Sequence, residues 1–366
     1  MADFTMPALG ADMETGKLVQ WLVRPGARVR RGDVVAVVET HKGAIDVEIF
    51  LDGVIEQLAP LGEDLPVGAV LARVRTAGET PAAAPVMGAS RARVSPAARR
   101  RAGELDLDAA GLPGSGAEGA VTLADVERAA AARQAGAPAP ARRGIDPAQM
   151  RQAIAAAMAR SKREIPHYYL GSSVDMQAAS RWLEAYNADR PPDQRLLPAV
   201  LLLKATATAL RQVPQLNGWY EDGAFRAGPG IHPGWAIALR GGGLVAPAVH
   251  DAERKSLAQL MDTLRDLVQR ARIGGLRSSE MTDPTITVTS LGERGAESVF
   301  GVIYPPQVAI VGFGRMVPRP CAVDGGVQVR PQLALSLAAD HRVSDGHLGG
   351  QLLAAIDRAL QDPETL

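Results

Sequence analysis

Residues 16–38 and 52–74 repeat one another at a constant offset of 36. Gly26 meets Gly62 and Gly32 meets Gly68, while Val19 meets Ile55, Leu22 meets Leu58, Val29 meets Leu65, Val35 meets Leu71 and Val38 meets Val74. Short Val/Ile/Leu-rich runs separated by glycine are strand and turn chemistry, and these runs are too short to be helices. The repeat therefore predicts two similar half-barrels. The segment that joins them, Glu39-Thr40-His41-Lys42-Gly43-Ala44, then falls on a hairpin with Lys42 exposed at its tip.

Lysine is scarce in this chain. Lys17, Lys42, Lys162, Lys204 and Lys255 are its five lysines, and arginine supplies every other basic position. A lysine among so many arginines suggests amine chemistry that a guanidinium cannot perform. The paired halves, the tip position and the Glu-Thr-x-Lys string together resemble a lipoyl domain. That resemblance implies lipoate covalently attached to Lys42, on an arm that swings between active sites. Lipoyl domains commonly have Asp before and Ala after this lysine, where this chain has His41 and Gly43. A biotin carrier shares the half-barrels and the tip lysine, but its lysine is usually flanked by methionine, and none flanks Lys42.

With 366 residues the chain has room for two or three domains, one of them with a sizeable core. Forty basic and forty acidic residues give zero formal charge, which argues against nucleic acid or a membrane surface as a general partner. The single cysteine, Cys321, excludes an internal disulfide and a cysteine-based metal cluster, and a reducing cytoplasm fits it. The start Met1-Ala2-Asp3-Phe4 resembles no signal or transit peptide, and no apolar run is long enough to span a bilayer. These features lead us to expect a soluble, cytoplasmic, untargeted protein with no metal.

Two stretches rich in Ala and Pro, 77–90 and 131–147, lack any apolar period and read as extended spacers. Between them, Ser95-Pro96 opens one short helix and Thr122-Leu123-Ala124-Asp125 another, each with capping chemistry at its start. With the intervening Gly114-Ser115-Gly116-Ala117-Glu118-Gly119, residues 91–130 resemble a peripheral-subunit-binding domain. Its partners would be a dihydrolipoamide dehydrogenase or a thiamine-diphosphate decarboxylating component. The arginine usual after the Gly-rich loop is Ala120 here, leaving Arg99 and Arg100 as the candidate docking cations, with Arg91, Arg93 and Arg101 nearby.

Beyond the second spacer, strand and helix patterns alternate as in an α/β domain. Leu257, Leu260, Met261, Leu264, Leu267 and Val268 recur at helical spacing behind Ser256, a candidate N-cap. Leu333, Leu335 and Leu337 alternate with smaller residues, which predicts a half-buried strand delivering Asp340-His341-Arg342-Val343-Ser344-Asp345-Gly346 to a fixed place. A terminal helix over 347–360 follows, with Leu348, Leu352, Leu353, Ile356 and Leu360 on one face.

The Asp-His-Arg-x-x-Asp-Gly string resembles the active-site signature of the dihydrolipoamide acyltransferases of 2-oxo acid dehydrogenase complexes. Further blocks carry the resemblance through 148–366: Ile165-Pro166-His167, Val213-Pro214-Gln215-Leu216-Asn217, Gly243-Leu244-Val245-Ala246-Pro247 and Tyr304-Pro305-Pro306-Gln307. The implied protein is multidomain: an all-β lipoyl half-barrel sandwich over 1–76, a small helical peripheral-subunit-binding module, and an α/β chloramphenicol-acetyltransferase-like catalytic domain.

In such an enzyme His341 is the general base that takes the thiol proton of coenzyme A or dihydrolipoamide. Thr289, in Thr285-Ile286-Thr287-Val288-Thr289-Ser290-Leu291-Gly292, aligns with the hydroxyl that stabilises the oxyanion, with adjacent Ser290 the other candidate. The resemblance counts Asp345 with His341 and Thr289 among the catalytic residues, and Asp345 and Arg342 read as loop supports, Asp345 through an ion pair. The resemblance also implies homotrimers that assemble into a larger shell, with each site formed between subunits, and acetyl as the first acyl group to test. Complexes acting on 2-oxo acids or on acetoin both fit. A lipoyl carrier or scaffold with reduced transferase activity is the alternative that His41, Gly43 and Ala120 suggest. His232, His250 and Cys321 show no constellation in the sequence, and His167 beside Pro166 reads as a packed residue.

Overall fold

The computed structural model describes residues 1–9, 13–40, 43–76, 94–104, 115–116, 120–134, 147–239, 243–293 and 295–366. The chain divides into two compact units, one formed by 1–77 with 143–366 and the other by 78–142. Among the described residues no helix is long and apolar enough to cross a membrane.

The N-terminal region is the barrel that the repeat predicts. Its strands are β1 (Ala2–Thr5), β2 (Thr15–Trp21), β3 (Arg28–Val29), β4 (Val34–Thr40), β5 (Gly43–Glu48), β6 (Gly53–Leu58), β7 (Asp64–Pro66) and β8 (Val70–Arg75). The two halves exchange their short strands: β3 of the first half pairs with β6 of the second, and β7 of the second half pairs with β2 of the first. The matched glycines explain themselves. Gly26 and Gly62 sit at φ 89° and 90°, and Gly32 and Gly68 at 92° and 86°, a region that disfavours any residue with a Cβ. Phe4, Leu18, Val35, Val38, Ile55, Leu71 and Val74 form the buried core, and each contributes roughly 1.5–3 kcal/mol by leaving water.

The smaller unit is described at α1 (Pro96–Glu104) and α2 (Leu123–Gln134), with short segments beside them. Ser95 Oγ accepts from the Ala98 amide at 3.2 Å, the N-cap that its position predicts. Ala98, Ala102, Val121 and Val126 make a four-residue core. So small a core needs a polar clamp, and Asp125 supplies it. Its carboxylate accepts from the amide and hydroxyl of Ser115 at 2.9 and 2.7 Å and from those of Thr122 at 2.9 and 2.8 Å. These hydrogen bonds, the Ser115 amide foremost, hold its pKa far below the usual carboxylate range. Residues 77–93 and 135–146, which carry most of the two expected spacers together with Arg91 and Arg93, lie outside the described residues.

The C-terminal region follows the α/β expectation. Its elements are α3 (Pro147–Glu164), β9 (His167–Asp175), α4 (Gln177–Asn187), α5 (Pro198–Leu210), β10 (Gly218–Glu221), β11 (Ala224–Ala227), β12 (Pro233–Trp235), β13 (Ile237–Ala238), β14 (Leu244–Val245), α6 (Leu257–Ile273), β15 (Leu276–Arg277), α7 (Ser278–Thr282), β16 (Ile286–Ser290), β17 (Ala309–Phe313), β18 (Val317–Val323), β19 (Gly326–Asp340) and α8 (Gly346–Gln361). The central sheet runs β12-β16-β17-β19-β18, with β9 also paired to the long β19. β12, β16 and β17 are parallel, while β19 is antiparallel to β9, β17 and β18.

Side chains alternate across this sheet. Ile286, Val288, Val311, Phe313, Leu333, Leu335 and Leu337 join the main core, where Leu352, Leu353 and Ile356 of α8 also sit. Thr287, Thr289, Gly312, Ser336, Ala338 and Asp340 fall on the opposite face. β19 differs from the half-buried strand that its alternation predicts, because Ser336 and Ala338 are buried as well as the leucines. The reason is tertiary: Ser336 Oγ donates to the carbonyls of Val299 and Gly312, so the segment leading into β17 covers the second face. Gly312 permits that cover, since a Cβ there would lie 2.6 Å from Ser336 Oγ and 2.8 Å from Val299 Cγ1. Ser256 caps α6 in a full capping box with Gln259, as its sequence position suggests.

Candidate active site

β19 ends at Asp340, whose side chain is fully buried, and the chain turns at once. The amides of Val343 and Ser344 both donate to the Asp340 carbonyl at 3.1 Å, closing the turn. Arg342 folds back over it: its amide donates to Asp340 Oδ1 at 3.0 Å, Nε to both carboxylate oxygens at 3.0 and 3.1 Å, and Nη2 to Oδ2 at 2.6 Å. A buried carboxylate needs such a partner, and this one is bidentate. The pairing raises the Arg342 pKa further above its ordinary value. Arg342 also stacks its guanidinium 3.9 Å from the centre of the Tyr220 ring.

His341 stands between these two partners and is exposed. Its amide donates to Pro166 O at 2.9 Å, and its ring meets the Tyr168 ring edge-on at 5.3 Å. Tyr168 is itself tied down by a 2.9 Å hydrogen bond between its hydroxyl and Ser344 Oγ, and burial raises its pKa. The imidazole therefore projects from a turn locked on both sides, as a general base must.

Asp345 holds the loop, and among the described residues it does so without an ion pair. Its Oδ1 accepts from the amides of His347 and Leu348, each at 3.0 Å, which makes it the N-cap of α8. Those hydrogen bonds, Leu348 first, lower its pKa. The carboxylate is thus engaged by the helix start, where the dipole also favours a negative charge.

Thr289 is half-buried near the end of β16 and pairs across to Gly312, which pairs in turn with Ser336. Ser290 points to the opposite face, and its Oγ accepts from the Gly292 amide at 3.4 Å. Thr289 therefore lies two strands away from β19 and level with a residue five positions before His341. At strand rises and spacings of 3.3 and 4.8 Å this is a separation of roughly 20 Å. One chain does not bring Thr289 to His341.

His167 is the packed residue that its setting suggests. Nδ1 donates to Ile165 O at 2.8 Å and Nε2 accepts from the Ile303 amide at 3.1 Å, so the ring is neutral, and burial lowers its pKa. His232 and His250, unremarkable in sequence, meet with ring centres 5.1 Å apart, and His250 Nε2 lies 2.9 Å from Asp283. Among the described residues no group of three metal-ligating side chains occurs.

The partners that sequence reading misses are Tyr168, Ser344 and Tyr220. Tyr168 lies 173 positions before His341 and reaches it because β9 pairs with β19 in the register Asp340 to His167. No local spacing signals that. A cleft of about 720 Å³ opens beside the turn, lined among others by Arg342, Tyr220, Trp219, Arg226, Tyr304 and Gln307.

On the barrel, Thr40 pairs with Gly43, so His41 and Lys42 connect β4 to β5; both lie outside the described residues. Gly43 has φ 106°, which the alanine common at that place would adopt only with strain. The departure after Lys42 thus matches the local backbone.

Three family profiles match the chain. Residues 140–366 match the 2-oxoacid dehydrogenases acyltransferase catalytic domain, residues 2–74 the biotin-requiring enzyme domain that covers lipoyl attachment, and residues 92–127 the E3 binding domain. The chain is 31% identical to the dihydrolipoyllysine-residue acetyltransferase component of the pyruvate dehydrogenase complex of Rhizobium meliloti, over 99% of this chain and 98% of that protein. It is 30% identical to the lipoamide acyltransferase component of the branched-chain alpha-keto acid dehydrogenase complex of Bacillus subtilis, over 98% and 96%. A solved structure of the Azotobacter vinelandii dihydrolipoamide acetyltransferase, which addresses a serine, a histidine and an asparagine in its catalytic mechanism, superposes with TM-score 0.55 at 28% identity, covering 59% of this chain and 90% of that one. Turn, strand and domain order agree with these matches, and the chain belongs to the lipoyl-bearing acyltransferases of the 2-oxoacid dehydrogenase complexes.

Proposed function

We propose that this chain transfers an acyl group, acetyl in the first instance, between dihydrolipoamide borne on Lys42 and coenzyme A, as the core of a pyruvate-type or acetoin dehydrogenase complex. The observation that carries the reading is the turn that presents His341, clamped by Arg342 on Asp340 and by Tyr168 on Ser344. The Azotobacter serine, histidine and asparagine stand 52 and 4 residues apart, the intervals that separate Thr289, His341 and Asp345 here. That correspondence supports Thr289 as the oxyanion donor and His341 as the base.

The lipoyl group, when attached, supplies the acyl thioester. His341 takes the proton from the attacking thiol, so that sulfur reaches the carbonyl as a thiolate, and it returns that proton to the departing sulfur. Thr289 donates a hydrogen bond to the carbonyl oxygen as it gains charge; removing such a donor costs roughly 10²–10³ in rate. Asp345 positions the turn by capping α8. Since His341 and Thr289 are roughly 20 Å apart along one sheet, the working site takes its base from one subunit and its hydroxyl from another, which makes the homotrimer a condition of catalysis.

The domain assignment that goes with this function is 1–76 lipoyl, 91–130 peripheral-subunit-binding and 148–366 catalytic, with spacers 77–90 and 131–147. The E3 binding match supports dihydrolipoamide dehydrogenase as a partner, beside a decarboxylating component, with Arg99 and Arg100 on α1 as the docking cations. The trimers build a larger shell, and the complex works in the cytoplasm.

The test is acyl transfer from acetyl-CoA to dihydrolipoamide by wild type and His341→Ala. Loss by orders of magnitude with assembly unchanged is the expected result. Lipoylation of Lys42 without any transfer by wild type would establish the carrier alternative instead.

A further inference from the structure

We propose that the lipoyl domain has a built seat on its own catalytic domain, made by adding the edge of β5 to the two-residue strand β15. Leu276 pairs with Ile45 and Arg277 with Asp46 in parallel register, so β15 extends the barrel sheet β5-β4-β2-β7. Adding a strand to an open sheet edge is a recognised mode of docking, with backbone hydrogen bonds for affinity and side chains for register.

Side chains fix the register here. The Glu48 amide donates to Ser278 Oγ at 3.1 Å, and the Ser279 amide donates back to Glu48 Oε2 at 3.2 Å. Glu48 thereby satisfies an amide at the start of α7, and Arg277 adds an ion pair at 3.9 Å. Met281 packs against both cores, the barrel's and the catalytic domain's.

The catalytic side of the seat is braced independently of the barrel. Arg270 of α6 grips Glu280 of α7 through two hydrogen bonds of 2.6 and 2.5 Å, and Glu280 also accepts from the Arg277 amide at 2.8 Å. Gly274, at φ 72°, turns the chain out of α6 into β15. The strand is therefore held extended by the catalytic domain's own buried ion pair, ready to receive an edge.

β5 begins one residue after Lys42 in the sequence. Seating β5 ties the outgoing strand of the Lys42 hairpin to the catalytic domain, and exchange with another component requires its release. This consequence rests on Lys42 as the lipoyl lysine; the seat itself does not.

The test uses the full chain with Cys321→Ser, carrying Asp46→Cys and Arg277→Cys. Mild oxidation is expected to give a disulfide within one chain, mapped by peptide mass and reversed by reductant, several-fold above a control pairing Asp46→Cys with Ala354→Cys on α8. Yield no greater than the control, or a link between different chains, overturns docking in cis. Hydrogen exchange on the chain without cysteine substitutions keeps the proposal testable should the double variant fail to fold. Glu48→Lys is expected to speed exchange in both 43–50 and 276–282 with acyl transfer to free dihydrolipoamide unchanged; unaltered exchange in 276–282 overturns the seat.

Discussion

Arg342 Nη2 lies 2.6 Å from Asp340 Oδ2, and the residue enclosed between this pair is His341. Asp340 is fully buried while the Arg342 side chain remains about one-third exposed (32%), so among the described residues this guanidinium balances the carboxylate's charge. The pair sets the backbone on either side of His341.

Asp340→Asn is expected to lower kcat for acyl transfer by at least tenfold and to destabilise the catalytic domain by about 2 kcal/mol, discounted from the 3–5 kcal/mol of a fully buried broken pair because Arg342 reaches water. Kinetics with denaturant unfolding checks both. An unchanged kcat would show that the turn holds without its clamp.

The separation of Thr289 from His341 makes a subunit-mixing experiment decisive. His341→Ala and Thr289→Ala chains, each inactive alone, are expected to recover about a quarter of wild-type activity when co-assembled in equal amounts, since a site needs one intact contribution from each of two neighbours. Sites built within one chain would recover nothing.

Acid should unfold the smaller unit through Asp125. Its folded pKa is lowered by the Ser115 and Thr122 hydrogen bonds, so its contribution is fully present above the unfolded value near 4 and is lost as pH falls below it. Amide protection in 95–104 and 123–128 of the full chain, taken relative to each amide's intrinsic exchange rate, should fall between about pH 4 and 2. Asp125→Asn, which offers an amide to four donors, should show that loss of protection already at pH 7.

His167 gives the catalytic domain a different pH response. Burial lowers its pKa below 6.5, and the Nε2 that accepts from Ile303 must stay unprotonated. Below about pH 6.5 the unfolded state binds the additional proton, so stability rises with pH through that window and falls as pH drops. The Tm of wild type should therefore decline more steeply from pH 7 to 5 than that of His167→Gln, measured by thermal unfolding of the assembled protein.

Much of the architecture was legible without coordinates. The 36-residue offset specified the barrel because its turns need positive φ, and Gly26, Gly32, Gly62 and Gly68 are the residues that adopt it without cost. The caps at Ser95 and Ser256 and the apolar stripes of α6 and α8 were equally local, and the Asp-His-Arg string marked the turn that carries His341. These are short-range consequences of backbone sterics and helical period, so the chain states them directly.

Tertiary structure alone decided the environment of His341. Tyr168 reaches His341 through the register of β9 on β19, and Ser336 is buried because a distant segment folds across it. Asp345 became a helix cap rather than an ion-pair partner because α8 begins one residue later and leaves its amides open. The roughly 20 Å between Thr289 and His341 follows from strand order. Pairing and register join residues through contacts whose separation in sequence carries no period, so only the folded sheet determines which side chains meet.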